Sequence, residues 1–331
     1  MVIEKKIYNN KIYYYNNNRL INDSEILNKI NKIYIPPAYT DVKIYLDKNL
    51  IATGRNSKDR LQYIYSNEFV KKRSRQKYCN IIRYAIHKDA INNDIVKNIK
   101  KKTVDKDKLI GIILTIMKIC NFRVGNKDNE KKYQSTGLTT LRKRHIKING
   151  DNLIFDFIGK KGVQNLCIVD KNIYPEVFNI FKNQYKNILK TNDYIFQFKS
   201  NNKLIVINES DVNFYLKKFN ENITSKDIRT WSANTIFINS LINIDKLIQN
   251  KKYKLDTPTQ IERKLKRDIN NALKITSLHL HNTPSVCKKS YILPEIISLY
   301  LQNNQNFTKL KEKYKNNSEK MLLNILSTLK C

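Results

Sequence analysis

Three short segments of the sequence could carry chemistry, because each places an arginine or a tyrosine beside a predicted helix boundary. Arg123 follows a strongly apolar segment, Arg229 lies near a predicted helix start, and Tyr291 follows two lysines. A guanidinium stays charged at every working pH and can hold phosphate oxygens with paired hydrogen bonds. A tyrosine oxygen can act as a covalent nucleophile. Together these residue types would suit chemistry at a phosphodiester.

Each of these residues also has an ordinary structural interpretation when it is considered alone. Tyr291 is one of 20 tyrosines in the chain. Arg123 could be a cation that is favoured at a helix C-terminus, and Arg229 could form a surface ion pair with Asp227 or Glu221. The functional interpretation therefore depends on these residues occurring together with others in a fixed order.

The larger, C-terminal part of the chain has mostly helical patterns. Apolar residues at helical spacing predict a helix over 109–120 that ends just before the first arginine. Another helix is predicted to begin at Thr224 or Ser225, because either side chain can cap a helix N-terminus. The segments 261–275 and 307–329 are also amphipathic at helical spacing.

A small β-region interrupts these helices. The segments 146–148, 153–157 and 166–169 have strand-like patterns and are separated by two tight turns. They predict a three-stranded antiparallel unit. The second turn, Gly-Lys-Lys-Gly, places Lys160 and Lys161 at one tip of this unit.

The first seventy or so residues are predicted to be rich in β-strands. Strand-like patterns occur at 12–15, 42–46, 50–54 and 61–65. The composition changes at the basic run 71–77, where strand-like patterns give way to helical ones. The sequence therefore predicts a β-rich N-terminal domain, 1–73, and a mainly helical domain, 74–331.

The charge of the chain points to a polyanionic partner. Lys and Arg number 62 against 29 Asp and Glu, which gives a formal net charge of +33. Such a field favours nucleic acid or an anionic membrane surface. No apolar run approaches the roughly 20 residues that a membrane-spanning helix requires, and the N-terminus has no apolar stretch typical of a signal peptide. Nucleic acid is therefore the predicted partner.

The cysteines and histidines predict neither a disulfide framework nor a metal site. The five cysteines are scattered, contain no C-x-x-C pair and are odd in number, which favours a reducing, intracellular compartment. The four histidines are too dispersed for a recognisable zinc pattern.

Taken in order, several segments resemble those of the poxvirus-type DNA topoisomerase IB family. The chain is similar to a member from a large DNA virus or to a bacterial-like member. The resemblance covers about residues 35–294. It is carried by 35–42 (IPPAYTDV), 57–65 (SKDRLQYIY), 120–126 (CNFRVGN), 137–146 (GLTTLRKRHI), 225–231 (SKDIRTW) and 280–291 (LHNTPSVCKKSY). No single segment is specific, but the ordered set is.

The resemblance implies catalytic roles for particular residues. Tyr291 falls at the nucleophile that cuts one DNA strand and forms a 3′-phosphotyrosyl intermediate. Arg123 and Arg229 fall at the two catalytic arginines, which would hold the non-bridging oxygens. Lys160 falls at the lysine that would protonate the leaving 5′ oxygen, and Lys161 competes with it for this role.

One position departs from the pattern of the family. The poxvirus-type members have a histidine before their Thr-Pro-Ser, whereas this chain has Asn282 there and His281 one residue earlier. Other relatives resemble this chain in having asparagine. Asn282 can donate an amide N–H to a phosphate oxygen without carrying charge, although it could also simply cap the turn before Pro284. Chemistry that needs a histidine at this position is excluded.

Seven residues are predicted to contact DNA. In the N-terminal part they alternate along one strand, which could read a groove through glutamine and arginine or could pack its tyrosines inward. In the second part they belong to a helix that relatives place in the major groove, where the lysines are expected to contact phosphates. The residues are Arg60, Gln62, Tyr63, Tyr65, Lys127, Lys131 and Tyr133.

The resemblance also implies a fold, a partner and a place of action. The fold is α+β, with a small β-rich N-terminal DNA-clamp domain and a mainly α-helical catalytic domain of the tyrosine recombinase/topoisomerase IB type. The implied activity is relaxation of supercoiled duplex DNA without ATP, metal or another cofactor. The implied form is a monomer that closes as a clamp around double-stranded DNA. It would act inside the cell at DNA, which for a viral member means the virion or the viral replication site.

Three other functions remain open on the sequence alone. A tyrosine recombinase or integrase shares the Arg, Lys, Arg, Tyr set, but usually has a histidine three residues before the second arginine, where this chain has Lys226. A non-catalytic DNA-binding protein would bind DNA with strong salt dependence and form no covalent adduct. A metal-dependent nuclease would lose its activity in EDTA.

Overall fold

The computed structural model describes residues 1–9, 11–187, 190–249, 257–302, 304–329 and 331. These residues form two compact units, Met1–Lys77 and Tyr78–Cys331. Strands dominate the first unit and helices dominate the second, as the sequence predicted. Within the described ranges, no helix has both the length and the apolar character needed to cross a membrane.

The first unit is built on a six-stranded antiparallel sheet with the strand order β3-β2-β1-β4-β5-β6. Its strands are β1 (Val2–Tyr8), β2 (Lys11–Asn16), β3 (Arg19–Leu20), β4 (Thr40–Tyr45), β5 (Leu50–Arg55) and β6 (Leu61–Tyr65). Alternate side chains point to one face of each strand, and a short helix, α1 (Ser24–Asn31), covers that face with Ile30. The buried core of the unit comprises Ile3, Ile30, Val42, Ile44 and Ala52.

The division between the two units lies within one long helix, α2 (Asn67–Ile99). The basic run 71–77, where the sequence predicted a domain boundary, is helical throughout. Lysine, arginine and glutamine all favour helix, so the change in composition does not interrupt the backbone.

The second unit is mainly helical. Its further helices are α3 (Lys106–Cys120), α4 (Lys127–Tyr133), α5 (Pro175–Asn187), α6 (Glu209–Lys217), α7 (Ser225–Gln249), α8 (Pro258–His279), α9 (Pro284–Ser290), α10 (Pro294–Gln302), α11 (Asn304–Lys313) and α12 (Ser318–Ser327). Helix α3 lies at its centre, and most of its side chains are buried. That burial explains why apolar residues cover more than one face of this helix in the sequence.

The predicted three-stranded antiparallel unit is confirmed. It consists of β7 (Ile146–Asn149), β8 (Asn152–Ile158) and β9 (Gln164–Asp170), in that order. The inner face of β8 carries Leu153, Phe155 and Phe157, which join the large core of the second unit. A separate hairpin of β10 (Gln197–Ser200) and β11 (Lys203–Val206) was not predicted.

The amphipathic segment 307–329 is helical but not continuous. It is divided between α11 and α12 by a turn in which Lys315 and Asn316 adopt left-handed backbone conformations, with φ of 49° and 62°. Asn317 then caps α12 by accepting from the Lys320 N–H at 3.0 Å. The apolar spacing continues across the turn, so the periodic pattern did not reveal the break.

The expectation that the cysteines form no disulfide framework was wrong. Cys79 is paired with Cys331 and Cys120 with Cys167, which leaves Cys287 as the free cysteine. The pairs join residues 252 and 47 positions apart. Their scattered positions in sequence therefore gave no indication of their proximity in space.

Candidate active site

The segment that follows α3 carries Arg123 and is fixed by its neighbours. Asn121 ends α3 in the left-handed conformation, with φ of 53°, which asparagine tolerates better than most residues. The buried Phe122 ring packs against the rings of Phe155 and Phe157, with centroids 6.0 and 4.8 Å away. Arg123, the next residue, is half-buried.

Arg229 lies near the start of α7 and is almost fully buried. Its Nη1 donates to the Asn121 carbonyl, and its Nη2 donates to the Leu280 carbonyl at 3.1 Å. Burial lowers the pKa of Arg229 to about 10, so the guanidinium remains charged at neutral pH. One buried cation thus connects the ends of α3 and α8.

Tyr291 directly follows α9 and is buried against Arg229, whose guanidinium carbon lies 5.4 Å from the centre of the phenol ring. Asn234 holds the backbone here: its Nδ2 donates to the Tyr291 carbonyl at 3.0 Å, and its Oδ1 accepts from the Leu293 N–H at 2.9 Å. Burial alone would raise the pKa of the phenol, but the charges of Arg229 and Arg123 and a hydrogen bond from Arg229 outweigh it. The pKa of Tyr291 therefore lies below its ordinary value of 10.0.

Asn282 lies in the turn between α8 and α9 and contacts Arg123. Its Oδ1 accepts a hydrogen bond from Arg123 Nη2 at 2.5 Å. The preceding residue, His281, has a left-handed backbone with φ of 50°. Its Nε2 lies 3.0 Å from the Cys120 carbonyl oxygen. Both side chains thus connect this turn to the segment that carries Arg123.

Arg123, Arg229, Asn282 and Tyr291 are called the cluster below. Two of its buried donors, Asn282 Nδ2 and Arg229 Nε, have no hydrogen-bond partner among the described residues. A buried donor without a partner costs roughly 1–3 kcal/mol. A phosphodiester has two non-bridging oxygens that could accept from such donors. These two donors are therefore candidates for binding an anion.

Cys287 is a second nucleophilic side chain close to this cluster. Burial raises the pKa of its thiol to about 12, although Arg229 opposes the shift. A thiol with this pKa is almost fully protonated at neutral pH and is a poor nucleophile. Tyr291, whose pKa is lowered, is the better candidate. No cluster of three or more potential metal ligands of the His, Cys, Asp or Glu type occurs in the described ranges.

Lys160 is not brought into this cluster. It is exposed in the turn between β8 and β9, and within the described residues it makes no hydrogen bond or ion pair. The turn is closed by the Gly159 N–H, which donates to the Val163 carbonyl at 2.8 Å, and Lys161 has a left-handed backbone with φ of 65°. The catalytic role of Lys160, and its choice over Lys161, thus stays a prediction.

Helix α4 belongs to the segment 125–137, whose two ends meet beside Arg123. The Arg123 and Val124 carbonyls accept from the Leu138 and Thr139 N–H groups at 2.9 and 2.6 Å. A Cβ atom built on Gly137 would lie 2.4 Å from the Gly125 Cα. No side chain fits at this contact. The two ends of this segment are therefore held together by direct packing of the backbone at Gly125 against the backbone at Gly137.

The residues predicted to contact DNA in the first unit lie on and just before β6. Tyr63 is exposed, and Tyr65 on the same face is half-buried. Gln62 Nε2 donates to the carbonyls of Arg60 and Leu61, each at 3.1 Å. The alternative in which the tyrosines pack inward is wrong for Tyr63, because Ile64 on the other face packs against the core instead.

The other residues predicted to contact DNA belong to α4, in the second unit. Lys131 and Tyr133 are exposed. Lys127 is half-buried, and its Nζ lies 5.2 Å from the centre of the Tyr194 ring.

Several residues that shape the cluster were missed by the sequence analysis: Asn121, Ser232, Asn234 and the role of His281. Ser232 Oγ donates to Asn121 Oδ1 at 2.6 Å, which fixes the residue whose carbonyl binds Arg229. Asn234 is a fully buried polar residue within the apolar part of α7. A polar residue at such a position was the one available signal, because buried polar groups need partners.

Comparisons with known protein families agree along most of the chain. Residues 66–320 match the family model described as eukaryotic DNA topoisomerase I, catalytic core. Residues 12–56 match the model described as bacterial DNA topoisomerase IB, N-terminal domain.

Individual relatives support the same assignment. The chain is 30% identical over 304 residues to a DNA topoisomerase 1B of Acanthamoeba polyphaga mimivirus, covering 89% of this chain and 85% of the relative. It is 27% identical over 314 residues to a DNA topoisomerase 1B of Vaccinia virus (strain Copenhagen), covering 88% and 90%. A DNA topoisomerase 1 of Mycosarcoma maydis is 26% identical over 160 residues, covering 44% of this chain and 16% of that protein.

Proposed function

Since the chain belongs to the type IB DNA topoisomerase family, we propose that its isomerase activity on DNA runs through a covalent bond to Tyr291. The Tyr291 phenolate attacks the phosphorus of one strand and forms a Tyr–O–P bond, while the bond from phosphorus to the 5′ oxygen breaks. The other strand stays intact, so the free end can rotate before the 5′ hydroxyl attacks and reverses the exchange. One P–O bond replaces another in each direction, so resealing needs no ATP.

The arginines and Asn282 are the groups proposed to stabilise the transition state. Negative charge grows on the non-bridging oxygens as the phenolate attacks. The charges of Arg229 and Arg123 stabilise that negative charge. Asn282 Nδ2 and Arg229 Nε, which have no partner among the described residues, supply two further donors. Because these groups are already held by Asn121, Leu280 and one another, little reorganisation is needed when DNA arrives.

The proton steps are divided between solvent and Lys160. No histidine occupies position 282 to take the phenol proton, but the arginines lower the pKa of Tyr291, so water can accept it. The leaving 5′ oxygen needs a proton, which we assign to Lys160 at the tip of the β8–β9 turn. Its ammonium is exposed and has no partner within the described ranges, which is consistent with a group that reaches DNA only in the complex.

We further propose how the two parts of the chain divide the work. Residues 1–73 would form the DNA-clamp domain and residues 74–331 a catalytic domain of the tyrosine recombinase/topoisomerase IB type. A monomer would close around double-stranded DNA as a clamp, inside the cell where that DNA is. The exposed Tyr63 of β6 and the exposed Lys131 and Tyr133 of α4 support direct DNA contact.

The observation that carries this proposal is the burial of Tyr291 against Arg229 with a lowered phenol pKa. The test is plasmid relaxation in EDTA, with gel detection of a covalent protein–DNA adduct. The wild type should relax plasmid and form the adduct, and Tyr291→Phe should do neither while still binding DNA. Tyr174→Phe, which changes a tyrosine outside this cluster, is the matched control and should behave as wild type.

The rival functions give different results in the same assay. Strand exchange between specific sites, rather than relaxation alone, would indicate a recombinase. DNA binding with no adduct in the wild type would indicate a non-catalytic protein, and activity lost in EDTA would indicate a metal-dependent nuclease. Relaxation that survives Tyr291→Phe would mean that another residue is the nucleophile.

A further inference from the structure

Helix α4 is held by polar contacts rather than by a hydrophobic core. It has seven residues, and none of them is buried. Helices shorter than about 12 residues are marginal in water without tertiary support. The position of its basic side chains therefore depends on whichever contacts anchor the helix.

The anchor at the middle of α4 is Glu130, whose side chain has several partners. Glu130 Oε1 accepts from Arg142 Nη2 at 2.9 Å and from Arg142 Nε at 3.1 Å. Glu130 Oε2 accepts from the Tyr194 hydroxyl at 2.8 Å. Both oxygens of the carboxylate are thus used, and the Glu130 and Arg142 side chains are largely shielded from solvent.

The two partners of Glu130, Arg142 and Tyr194, also contact each other. The guanidinium of Arg142 lies 4.1 Å from the centre of the Tyr194 ring, and its Nη2 donates to the Tyr194 hydroxyl at 2.8 Å. Arg142 Nη1 donates to the Asn192 carbonyl at 2.5 Å. A β-bridge joins the backbones of Arg142 and Tyr194. The two partners are thus joined through both their side chains and their backbones.

The near end of α4 is attached to the catalytic segment. Asn126 caps the helix and its Nδ2 donates to Glu209 Oε2 at 2.9 Å. Three residues before Asn126 lies Arg123, whose carbonyl accepts from the Leu138 N–H. These contacts hold the N-terminal end of α4 beside Arg123 and do not involve Glu130, so we expect kcat to depend little on Glu130.

We propose that Glu130 is a positioning residue, which docks α4 on Arg142 and Tyr194 before DNA binds and so presents the basic face of the helix in one orientation. This inference rests on the proposed function. With the dock intact, DNA meets an ordered helix. Without it, part of the binding free energy must order α4, so the fraction of binding-competent protein falls and the apparent affinity falls with it.

The sign of the effect separates positioning from charge. Glu130→Ala removes one negative charge, so the net charge rises from +33 to +34. Electrostatics alone predicts tighter binding to DNA from this change. Positioning predicts weaker binding in spite of the added positive charge.

A matched control lies on the same helix. Asp128 is exposed, and Asp128→Ala makes the same change in charge two residues away without touching Arg142 or Tyr194. The experiment measures KM and kcat for plasmid relaxation by both variants, together with amide hydrogen exchange of α4 in the free, full-length protein. Thermal melting establishes that each variant is folded.

For Glu130→Ala we expect KM to rise about tenfold, kcat to stay within about threefold, and the α4 amides to lose protection. Asp128→Ala should bind DNA as tightly as wild type or more tightly. The inference is overturned if Glu130→Ala also binds as tightly as wild type, or if kcat falls while KM is unchanged.

Two milder variants keep the test decisive if Glu130→Ala does not fold. Tyr194→Phe removes only the hydroxyl that donates to Glu130, and Glu130→Gln keeps the oxygen acceptor but loses the charge. Each should raise KM by less than Glu130→Ala. An unchanged KM in either variant would contradict the positioning role of Glu130. Failure of the proposed function looks different, because then the wild type itself would form no adduct while loss of α4 protection would still report on Glu130.

Discussion

Asn282 and Arg123 are joined by a hydrogen bond in which Arg123 Nη2 donates to Asn282 Oδ1 at 2.5 Å. A guanidinium has only donors, so it must meet the oxygen of the amide and not its nitrogen. The amide nitrogen is thereby turned away from Arg123, and it is buried without a partner among the described residues. Arg123 thus sets the orientation in which Asn282 offers its donor.

Replacing Asn282 by aspartate should be more damaging than replacing it by histidine. Asn282→Asp keeps the acceptor for Arg123 but removes the donor and adds a negative charge that would repel phosphate. We expect its single-turnover cleavage rate to fall by roughly 10²–10³-fold, as for loss of an oxyanion-hole donor. Asn282→His restores an N–H donor and should stay within about tenfold of wild type. Equal rates for the two variants would contradict the donor role.

The pH dependence of cleavage should move when Arg123 loses its charge. Cleavage requires the phenolate, so the rate rises with pH until the pKa of Tyr291 is passed. That pKa is lowered by Arg229 and Arg123 against the opposing effect of burial. In Arg123→Gln the rate should fall by about 10²-fold or more, and the residual activity should level off at a higher pH than in wild type. Lys226→Gln removes a charge that lowers the pKa of Tyr291 less, so it should shift the pH profile less. Identical pH profiles for Arg123→Gln and wild type would show that these charges do not activate Tyr291.

The leaving-group role of Lys160 can be separated from DNA binding by changing the substrate. Lys160→Ala should slow cleavage by roughly 10²–10⁴-fold on ordinary DNA, because the 5′ oxygen leaves unprotonated. A substrate with sulfur at the bridging 5′ position has a better leaving group, since a thiol has a pKa of about 8.5, and should restore most of the rate. Lys161→Ala should show neither effect. The reverse pattern would assign the acid to Lys161.

His145 should make the fold sensitive to mild acid. Its Nδ1 accepts from the Arg142 N–H at 3.1 Å, and burial, with Arg144 and Arg142, lowers its pKa from 6.5 to about 4. As pH falls, the unfolded chain binds the proton first. The stability that the neutral ring supplies is complete above about pH 6.5 and is lost between pH 6.5 and 4.

The expected loss across that window is up to roughly 2 kcal/mol of unfolding free energy, after allowance for solvent screening. His145→Asn can keep the acceptor without titrating, so it should melt at a less pH-dependent temperature. His279→Asn, an exposed histidine, is the control and should follow wild type. The same acid sensitivity in His145→Asn would assign the effect to other groups.

The disulfides should be measurable in the purified protein. After denaturation without reductant, alkylation should label Cys287 alone, and reduction should expose the cysteines of both pairs. Removing a native disulfide commonly costs about 2–5 kcal/mol, so reductant should lower the melting temperature. Cys287→Ser should leave that difference unchanged. Full labelling of all cysteines without reductant would contradict the pairing.

The regular elements of the chain were accessible from sequence because they depend on local periodicity. The helix over 109–120 and the strands at 146–148, 153–157 and 166–169 all occur close to their predicted bounds. The apolar spacing that defines them is also what buries them. The break inside 307–329 was missed, because the left-handed turn leaves that spacing intact.

The arrangement of the candidate site was only partly accessible. The order of Arg123, Arg229, Asn282 and Tyr291 could be read by resemblance, but their contacts could not. The Asn282–Arg123 bond joins residues 159 positions apart. Periodic patterns within one sequence do not show which distant residues meet. For the same reason the partners of Glu130 could not be predicted.

The close approach of Gly125 and Gly137 makes the intervening segment a graftable cassette. Because the backbone closes tightly at these glycines, the stretch between them can be exchanged for that of a relative while the stem holding Arg123 keeps its geometry. Such a chimera would test whether this segment contributes to DNA binding. It would succeed where the donor segment brings its own counterpart of Glu130, and it would tolerate no alanine at either glycine.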